Sequence, residues 1–376
     1  MKRIALIGTV YTRLSGVQHL ADHFLVGYPR RGSWHQPEMK IVSACLAERP
    51  EGDLSGARAL EFGFTLYATV AEALRAGGAS LAVDAVLLVA GADQDLFAEC
   101  AKVFEKDRRA VPVFHSGRLS ESFDKAKGMV ETARRLHFPL LAGSWLPVTW
   151  RLPDLELPHG CDVSEALMVG VHHSGGTEFD ALEAMQCMIE RRKGGETGVR
   201  SVELLEGEAV WKAGAEGRWS RALLGSALSR SDTPLGLSLK DSRTQDLVAS
   251  GVLPQLAEHP SAYLIEHNDG LKTALLMLDG AVRDCNFAAR AGALGVRSCQ
   301  FLPTPEPNVT SSACLAANIE ELFETGRAPY PVERTLLVGG VLESCQKSRE
   351  QGSRRLATPH LNVAYRAPRE DGHARA

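Results

Sequence analysis

At 376 residues the chain exceeds the size at which one hydrophobic core stops growing, so two domains are expected. Hydrophobic residues make up 44% and charged residues 23%, the balance of a folded protein and not of a disordered one. Lys and Arg number 42 against 46 Asp and Glu, and a net charge of -4 supplies no basic field for nucleic acid or an anionic membrane.

The opening run KRIALIG (2–8) is short, apolar and closed by a glycine, the pattern of a buried parallel strand that turns into a loop. That apolar run is too short for a signal-peptide core and no later stretch approaches a membrane span, so a cytoplasmic protein is expected. Helical spacing follows over 17–26, then a turn-rich insert, YPRRGSWHQPE, and a second strand over 39–47. LSGARALEFGF and YATVAEALRAGG carry apolar residues at helical spacing, the second with Thr69 as a candidate cap. Strands over 83–91, 111–116 and 138–144 alternate with the helix-like LFAECAKVFEKD and FDKAKGMVETARRLH. Such a strand–helix series predicts a Rossmann-like, doubly wound parallel sheet for residues 1–150.

Past Arg151 the texture changes to the proline-rich PDLELPHG, and a second, α+β domain is expected over 151–365. It opens with a helix over 177–195 and continues with strands in SVELLEGEAVW, AYLIEHNDG and LKTALLMLDG, the Asp-Gly pairs marking turns. Two helices read from ANIEELFETGRAPYPVERTLLVGGVLESCQKS, and 366–376 reads as a flexible tail. The eight cysteines form no C-x-x-C pair, which fits reduced thiols better than a disulfide frame or a zinc site.

Three stretches carry a likeness to a known family: IALIG at the start, CLAERPEGDLSGARALEFGFTLYATVAEAL, and VPVFHSGRLSESFDKAKGMVETARRL. In order and layout the chain resembles the Gfo/Idh/MocA oxidoreductases, and its closing helices extend the resemblance over most of its length. That resemblance implies an N-terminal Rossmann domain for NAD or NADP and a C-terminal sheet domain that often forms dimers through its exposed sheet. It also implies hydride chemistry on a sugar or polyol, so the expected partners are a small-molecule substrate and a second copy of the chain, without nucleic acid or membrane.

The residues depart from the family's pattern at each chemical position. The phosphate loop reads Gly8-Thr9-Val10-Tyr11-Thr12-Arg13-Leu14-Ser15-Gly16, with Val10 at the place of the second glycine. Gly8, Thr9, Tyr11 and Thr12 remain the candidates for pyrophosphate, with Arg13 either a phosphate partner or a solvated charge. The ribose-gripping acid is replaced by Ala47, leaving Glu48 as the candidate, and Ala90 with Gly91 stands at the strand end that the family packs against the nicotinamide ribose. The catalytic lysine of the family's E-K-P motif is absent from His115-Ser116-Gly117-Arg118. Arg118 can bind an anion but cannot serve as a practical proton donor, whereas His115 is a candidate acid or base if it titrates near neutrality.

On the second domain's first helix, which by resemblance faces the nicotinamide, Asp180 and Glu183 share a face and are candidates to divide acid and base roles. The alternative is a helix cap built from Thr177 with Asp180 or Glu178. His172 and His173 are adjacent, so on a strand only one would face a site. His19, His23 and His35 raise a metal site only weakly, and none is expected. The segment Gly143–Arg151, with Trp145 and Trp150, is either a ligand-stacking surface or a packed hinge. Three functions remain open: an NAD(P)-dependent oxidoreductase of a carbohydrate, cyclitol or related hydroxy compound, a non-redox lyase or isomerase on the same scaffold, and a non-catalytic binding protein.

Overall fold

The computed structural model describes all residues except 92–94, 173–176, 234–235, 304–308, 371 and 376. The chain divides into two compact units, Met1–Trp145 with Thr304–Leu336, and Leu146–Pro303 with Leu337–Arg375. A single handover near residue 151 was expected; the segment from 304 to 336 instead belongs with the first unit.

In the first unit the elements follow as β1 (Lys2–Gly8), α1 (Gly16–Val26), β2 (Tyr28–Arg30), β3 (Ser33–His35), β4 (Met39–Leu46), α2 (Ser55–Phe62), β5 (Thr65–Leu66) and α3 (Val70–Arg75). They continue as β6 (Ala85–Val89), α4 (Leu96–Asp107), β7 (Val113–Ser116), α5 (Phe123–Arg135) and β8 (Leu140–Gly143). The strands make one parallel sheet in the order β5-β4-β1-β6-β7-β8. All five residues of β6 are buried, as a strand covered on both faces requires. The helices do the covering: α1 buries Val17, Leu20, Ala21 and Phe24, and α5 buries Phe123, Ala126, Val130 and Ala133, each set at helical spacing. The order reverses direction between β1 and β6, the switch point at which such sheets bind ligands beyond the carboxyl ends of their strands.

The turn-rich insert is a short antiparallel hairpin, β2 on β3. Its anchor comes from far along the chain. Tyr28 and His35 both reach the buried Glu320, His35 Nε2 at 2.8 Å.

The second unit contains β9 (Trp150–Leu152), β10 (Val163–Gly170), α6 (Glu178–Ile189), β11 (Val199–Glu206), α7 (Glu208–Ala215), α8 (Arg221–Leu228), α9 (Leu253–Leu256), β12 (Ser261–His267), β13 (Lys272–Met277), β14 (Cys285–Ala291) and β15 (Val296–Leu302). Helix α10 (Val309–Thr325) belongs to the first unit, α11 (Glu333–Glu350) spans the division, and β16 (Leu356–Ala357) closes the second sheet. The sheet runs β16-β11-β12-β13-β10-β14-β15-β9, with β10 and β13 parallel and the other recorded pairings antiparallel. The strand expected through SVELLEGEAVW stops at Glu206. Gly207, at φ 61°, turns the chain so that the remainder becomes α7.

Over β10 and β14 both faces of the second sheet are covered. On one side Gly170 abuts Ala181 of α6, where an added Cβ would come within 3.1 Å. On the other, Arg230 just after α8 donates to Ser298 Oγ at 3.0 Å, and Ser298 pairs through Ala288 to Leu167, which points opposite to Gly170. Leu167, Met168, Phe287 and Ala288 are accordingly all buried.

The Gly143–Arg151 connection is packed in its second half: the guanidinium of Arg151 donates to the carbonyls of Pro147 and Leu155 at 3.0 and 2.9 Å and lies over the Phe301 ring. Trp145 and Trp150 are both half-buried. Residues read as a flexible tail are tied down, with Ala374 N donating to Val148 O at 2.9 Å and His373 Nε2 2.6 Å from Asp154.

Candidate functional site

At the sheet's switch point β1 turns sharply at Gly8. A Cβ there would stand 2.8 Å from Val17 Cγ2 and 3.1 Å from the Val89 carbonyl oxygen, so glycine is what lets α1 start against the ends of β1 and β6. Thr9 ties three strand ends together: its N–H donates to Val89 O at 3.2 Å, its carbonyl accepts from Glu48 N at 2.9 Å, and its hydroxyl accepts from Gly91 N at 3.4 Å. Gly8, Thr9, Glu48, Ala90 and Gly91 are thereby gathered in one place. Glu48 and Gly91 are exposed, and among the described residues nothing lies within 4 Å of where a Gly91 side chain would begin.

The loop beyond is longer than the usual phosphate turn, and Tyr11 accounts for the difference. Its ring is fully buried and its hydroxyl donates to Asp22, whose carboxylate also receives Arg58 Nε and Nη2 at 3.2 Å each. Burial, reinforced by Asp22, holds the Tyr11 hydroxyl above the ordinary tyrosine range, so it stays a donor. Tyr11 therefore anchors the loop from inside and does not present its ring to a ligand. Thr12 is half-buried and its carbonyl accepts from Ser15 N at 3.1 Å.

Helix α1 then begins in the manner an anion requires. Ser15 caps it by accepting from Gln18 N at 3.2 Å, no acidic residue stands in its first turn, and Gly16 is exposed. The glycine turn, the uncharged helix start and the exposed Glu48 carboxylate fit a dinucleotide at this end of the sheet.

The end of β7 does not carry the chemistry expected of it. His115 is 2% exposed between β6 and β8, and burial lowers it to about 4, so near neutrality it is an uncharged core histidine and not a titrating acid or base. Arg118 is largely buried and forms an ion pair with Glu121 one turn on. The anion that Arg118 meets is thus a carboxylate of its own loop.

In the second unit α6 is buried nearly all round, from Phe179 to Ile189. Asp180 closes a capping box: its carboxylate accepts from Thr177 N at 2.7 Å and Thr177 Oγ1 at 2.8 Å, while Thr177 Oγ1 accepts from Asp180 N at 3.3 Å. The capping alternative thus describes Asp180, and Glu183 lies deeper, at 1% exposure.

Beside that cap is a cluster that sequence reasoning did not assemble. His172 N donates to Asp279 Oδ1 at 2.9 Å, and His172 Nδ1 lies 2.6 Å from Asp279 Oδ2. On the ring's other side Nε2 is 3.3 Å from Glu178 Oε1, which also accepts from the Tyr263 hydroxyl at 3.3 Å. Burial works against charging the ring, but the hydrogen bonds and charges of Asp279 and Glu178 prevail and raise its pKa. Asp279 had registered in the sequence only as an Asp-Gly turn. Its partner is 107 residues away, and they meet because Gly170 and Met277 are register partners in the parallel β10–β13 pair, each two residues before the cluster. His173 and 174–176 lie outside the described residues.

Two of the three histidines considered for a metal are engaged separately. His23 is buried, lowered to about 4 by that burial, and 2.8 Å from Ser312 Oγ, while His35 meets Glu320. Among the described residues no group of three His, Cys, Asp or Glu side chains has metal-holding geometry, and all eight cysteines are free thiols. No described helix is long and apolar enough to cross a membrane.

No protein-family model matches the sequence, and no curated protein does. Solved structures do match. The chain superposes on myo-inositol 2-dehydrogenase from Lactobacillus plantarum with a TM-score of 0.57 at 13% identity, covering 95% of this chain and 99% of that one. For GenD2 from gentamicin A biosynthesis, solved with NAD, the values are 0.59 and 13%, covering 95% and 97%. For myo-inositol dehydrogenase from Lactobacillus casei, solved with NAD(H) and myo-inositol, they are 0.57 and 10%, covering 95% and 96%. At such identities the likeness is one of fold, and the fold is that of the Gfo/Idh/MocA-type dehydrogenases.

Proposed function

We propose that the chain is an NAD(P)-dependent oxidoreductase acting on a hydroxylated small molecule of the carbohydrate or cyclitol class. The observation that carries this reading is the switch point of the parallel sheet, where Gly8 has no room for a side chain and α1 starts without an acidic residue. The amides at the start of α1 would receive the pyrophosphate, Gly8, Thr9 and Thr12 would shape its turn, and Glu48 would accept from ribose hydroxyls. Ala90 and Gly91, small and open, would lie along the nicotinamide half. The bound nicotinamide would supply hydride acceptance or donation.

Calorimetric titration of the nucleotide-stripped protein with NAD(H) and NADP(H) tests the reading. Binding in the micromolar range, about -8 kcal/mol, is expected, and the preferred nucleotide identifies the cofactor. Absence of binding at millimolar nucleotide overturns it.

A second reading, a non-redox enzyme or binding protein on the same scaffold, draws on one observation: the end of β7 offers an enclosed His115 and an internally paired Arg118 in place of a proton donor. Binding of cofactor without hydride transfer to any polyol would favour it.

A further inference from the structure

The first unit carries a second feature away from its switch point, on the face of the sheet that α4 and α5 cover. β6, β7 and β8 are consecutive neighbours in the parallel sheet, so two right-handed crossovers lay α4 and α5 side by side and running the same way. Between them runs a groove of about 490 Å³. Ala98, Ala101 and Lys102 line it from α4, and Lys125, Gly128 and Met129 from α5, at the spacings of three and four that keep one helical face turned inward. Phe97 forms the floor and packs on Phe138, their ring centroids 6.1 Å apart. Gly128 is helical, and nothing among the described residues lies within 4 Å of where its side chain would begin, so the gap is room that neither helix fills.

Glu105 of α4 and Arg135 of α5 pair across the seam at 2.6 Å. Beyond that bridge a second hollow of about 360 Å³ continues along the C-terminal ends of both helices, past Arg108. The twelve residues of α4 give the seam a length of about 18 Å. Its charge is basic although the chain as a whole is not. Lys102, Lys125 and Arg108 line it with no ion-pair partner among the described residues, whereas Glu105 is engaged by Arg135; only Asp95, at the N-terminal end, stands against them.

We propose that this seam docks an acidic, amphipathic helix of another protein, its apolar side chains entering over Gly128 and Phe97 and its carboxylates meeting Lys102, Lys125 and Arg108. The shape selects a helix: a straight trough of about 18 Å between two parallel helices accommodates three turns of a third. Ala98, Gly128 and Met129 are half-buried, so a small ligand here would stay largely in water, whereas ligand pockets enclose most of their occupant. A bilayer is selected against because the apolar surface is recessed between the helices and does not project toward a membrane. The unpaired cations beside an apolar floor then set the partner's sign.

The probe is an acetylated helical peptide of about 15 residues with Leu at i, i+3, i+4 and i+7 and Glu beside them, and its counterpart has Lys for Glu. Both are titrated into the whole chain by fluorescence anisotropy. The acidic peptide should bind about tenfold or more tightly than the basic one, and its affinity should fall by about tenfold between about 0.05 and 0.5 M salt. Lys102→Glu with Lys125→Glu should reverse the preference between the two peptides. Gly128→Leu replaces a helical glycine with a better helix former and fills the groove, so it should raise the melting temperature and abolish binding. The Met129 methyl resonance, assigned with Met129→Leu, should shift on saturation with the acidic peptide. No binding of that peptide at millimolar concentration overturns the proposal, as does equal affinity for both peptides or binding that survives Gly128→Leu. Cosedimentation with vesicles of phosphatidylcholine and phosphatidylglycerol, without peptide binding, assigns the basic face to a membrane and overturns it as well. Nucleotide takes no part in these measurements, so their outcome is separate from that of the cofactor titration.

Discussion

The two units use the same device at their centres and fill it in opposite ways. β1 and β10 each end in a glycine with no space for a Cβ, and the next helix after each is capped, by Ser15 before α1 and Thr177 before α6. Neither glycine has a positive φ, so it is space that demands them and not backbone conformation. At α1 the first turn holds no acid; at α6 Glu178 and Asp180 occupy the first turn and satisfy it from within. The dipole left uncapped by any acid in one unit holds the Asp180 carboxylate in the other, and Glu178 of the same turn flanks His172. One backbone motif yields an acid-free helix start or a carboxylate-capped one according to the charge placed in a single turn.

The largest test of this contrast is pH. His23 and His115 in the first unit fall to about 4 by burial, from 6.5 when unfolded. Between those values the unfolded chain holds more protons, so their contribution is full above about pH 6.5 and is lost as the pH falls through 4, roughly 3 kcal/mol for each. His172 has the reverse sign: its pKa is raised, so its pairing stabilises below its unfolded value and fades as the pH rises through the folded one. Urea unfolding between pH 7.5 and 4.5 should show a steep loss of stability that His115→Leu makes shallower. An unchanged slope in that variant would break the contrast between enclosed and paired histidines.

Next in size come the glycines. Gly8→Ala drives a methyl against Val17, which has little freedom, and against a backbone carbonyl, and should cost about 1–3 kcal/mol together with nucleotide binding. Gly170→Ala meets the Met277 sulfur at 2.7 Å and Ala181 Cβ at 3.1 Å; the thioether can swing aside, so the loss should be smaller. Thermal melts of the two variants order these costs. A Gly170→Ala protein that melts lower than Gly8→Ala would show that the second turn is the tighter one.

Why some of this was legible in the sequence and some was not follows from the range of the interactions. The strand–helix alternation of residues 1–145 is local, written in apolar runs and periodic faces, and the parallel sheet follows from it. Thr177 and Asp180 are three residues apart, so their cap was one of two readings open from spacing alone. Tyr11 looked like a ligand contact because it sits in the phosphate loop; only the meeting of α1 and α2 places Asp22 and Arg58 around it. His115 looked like a titrating group because strand ends are usually open, and nothing local records that it is enclosed between β6 and β8. His172 with Asp279, and His35 with Glu320, are pairings across 107 and 285 residues, set by sheet register and by the return of α10 to the first unit.

The smallest effect sharpens the contrast at its origin, the caps themselves. Ser15 Oγ accepts one hydrogen bond, from Gln18 N, whereas Thr177 Oγ1 both accepts from Asp180 N and donates to its carboxylate, so removing the second hydroxyl loses two hydrogen bonds. Ser15→Ala and Thr177→Ala should each cost about 0.5–2 kcal/mol, with Thr177→Ala the larger. Their functional signatures should differ as well. Ser15→Ala alters the helix start at which the nucleotide would bind and should weaken its Kd, while Thr177→Ala loosens the turn that carries Glu178 and should shift the His172 titration. Denaturant midpoints, nucleotide titration and the His172 resonance on both variants separate these outcomes. A Thr177→Ala protein that lost nucleotide affinity as Ser15→Ala does would mean that the two helix starts do not divide the work by charge.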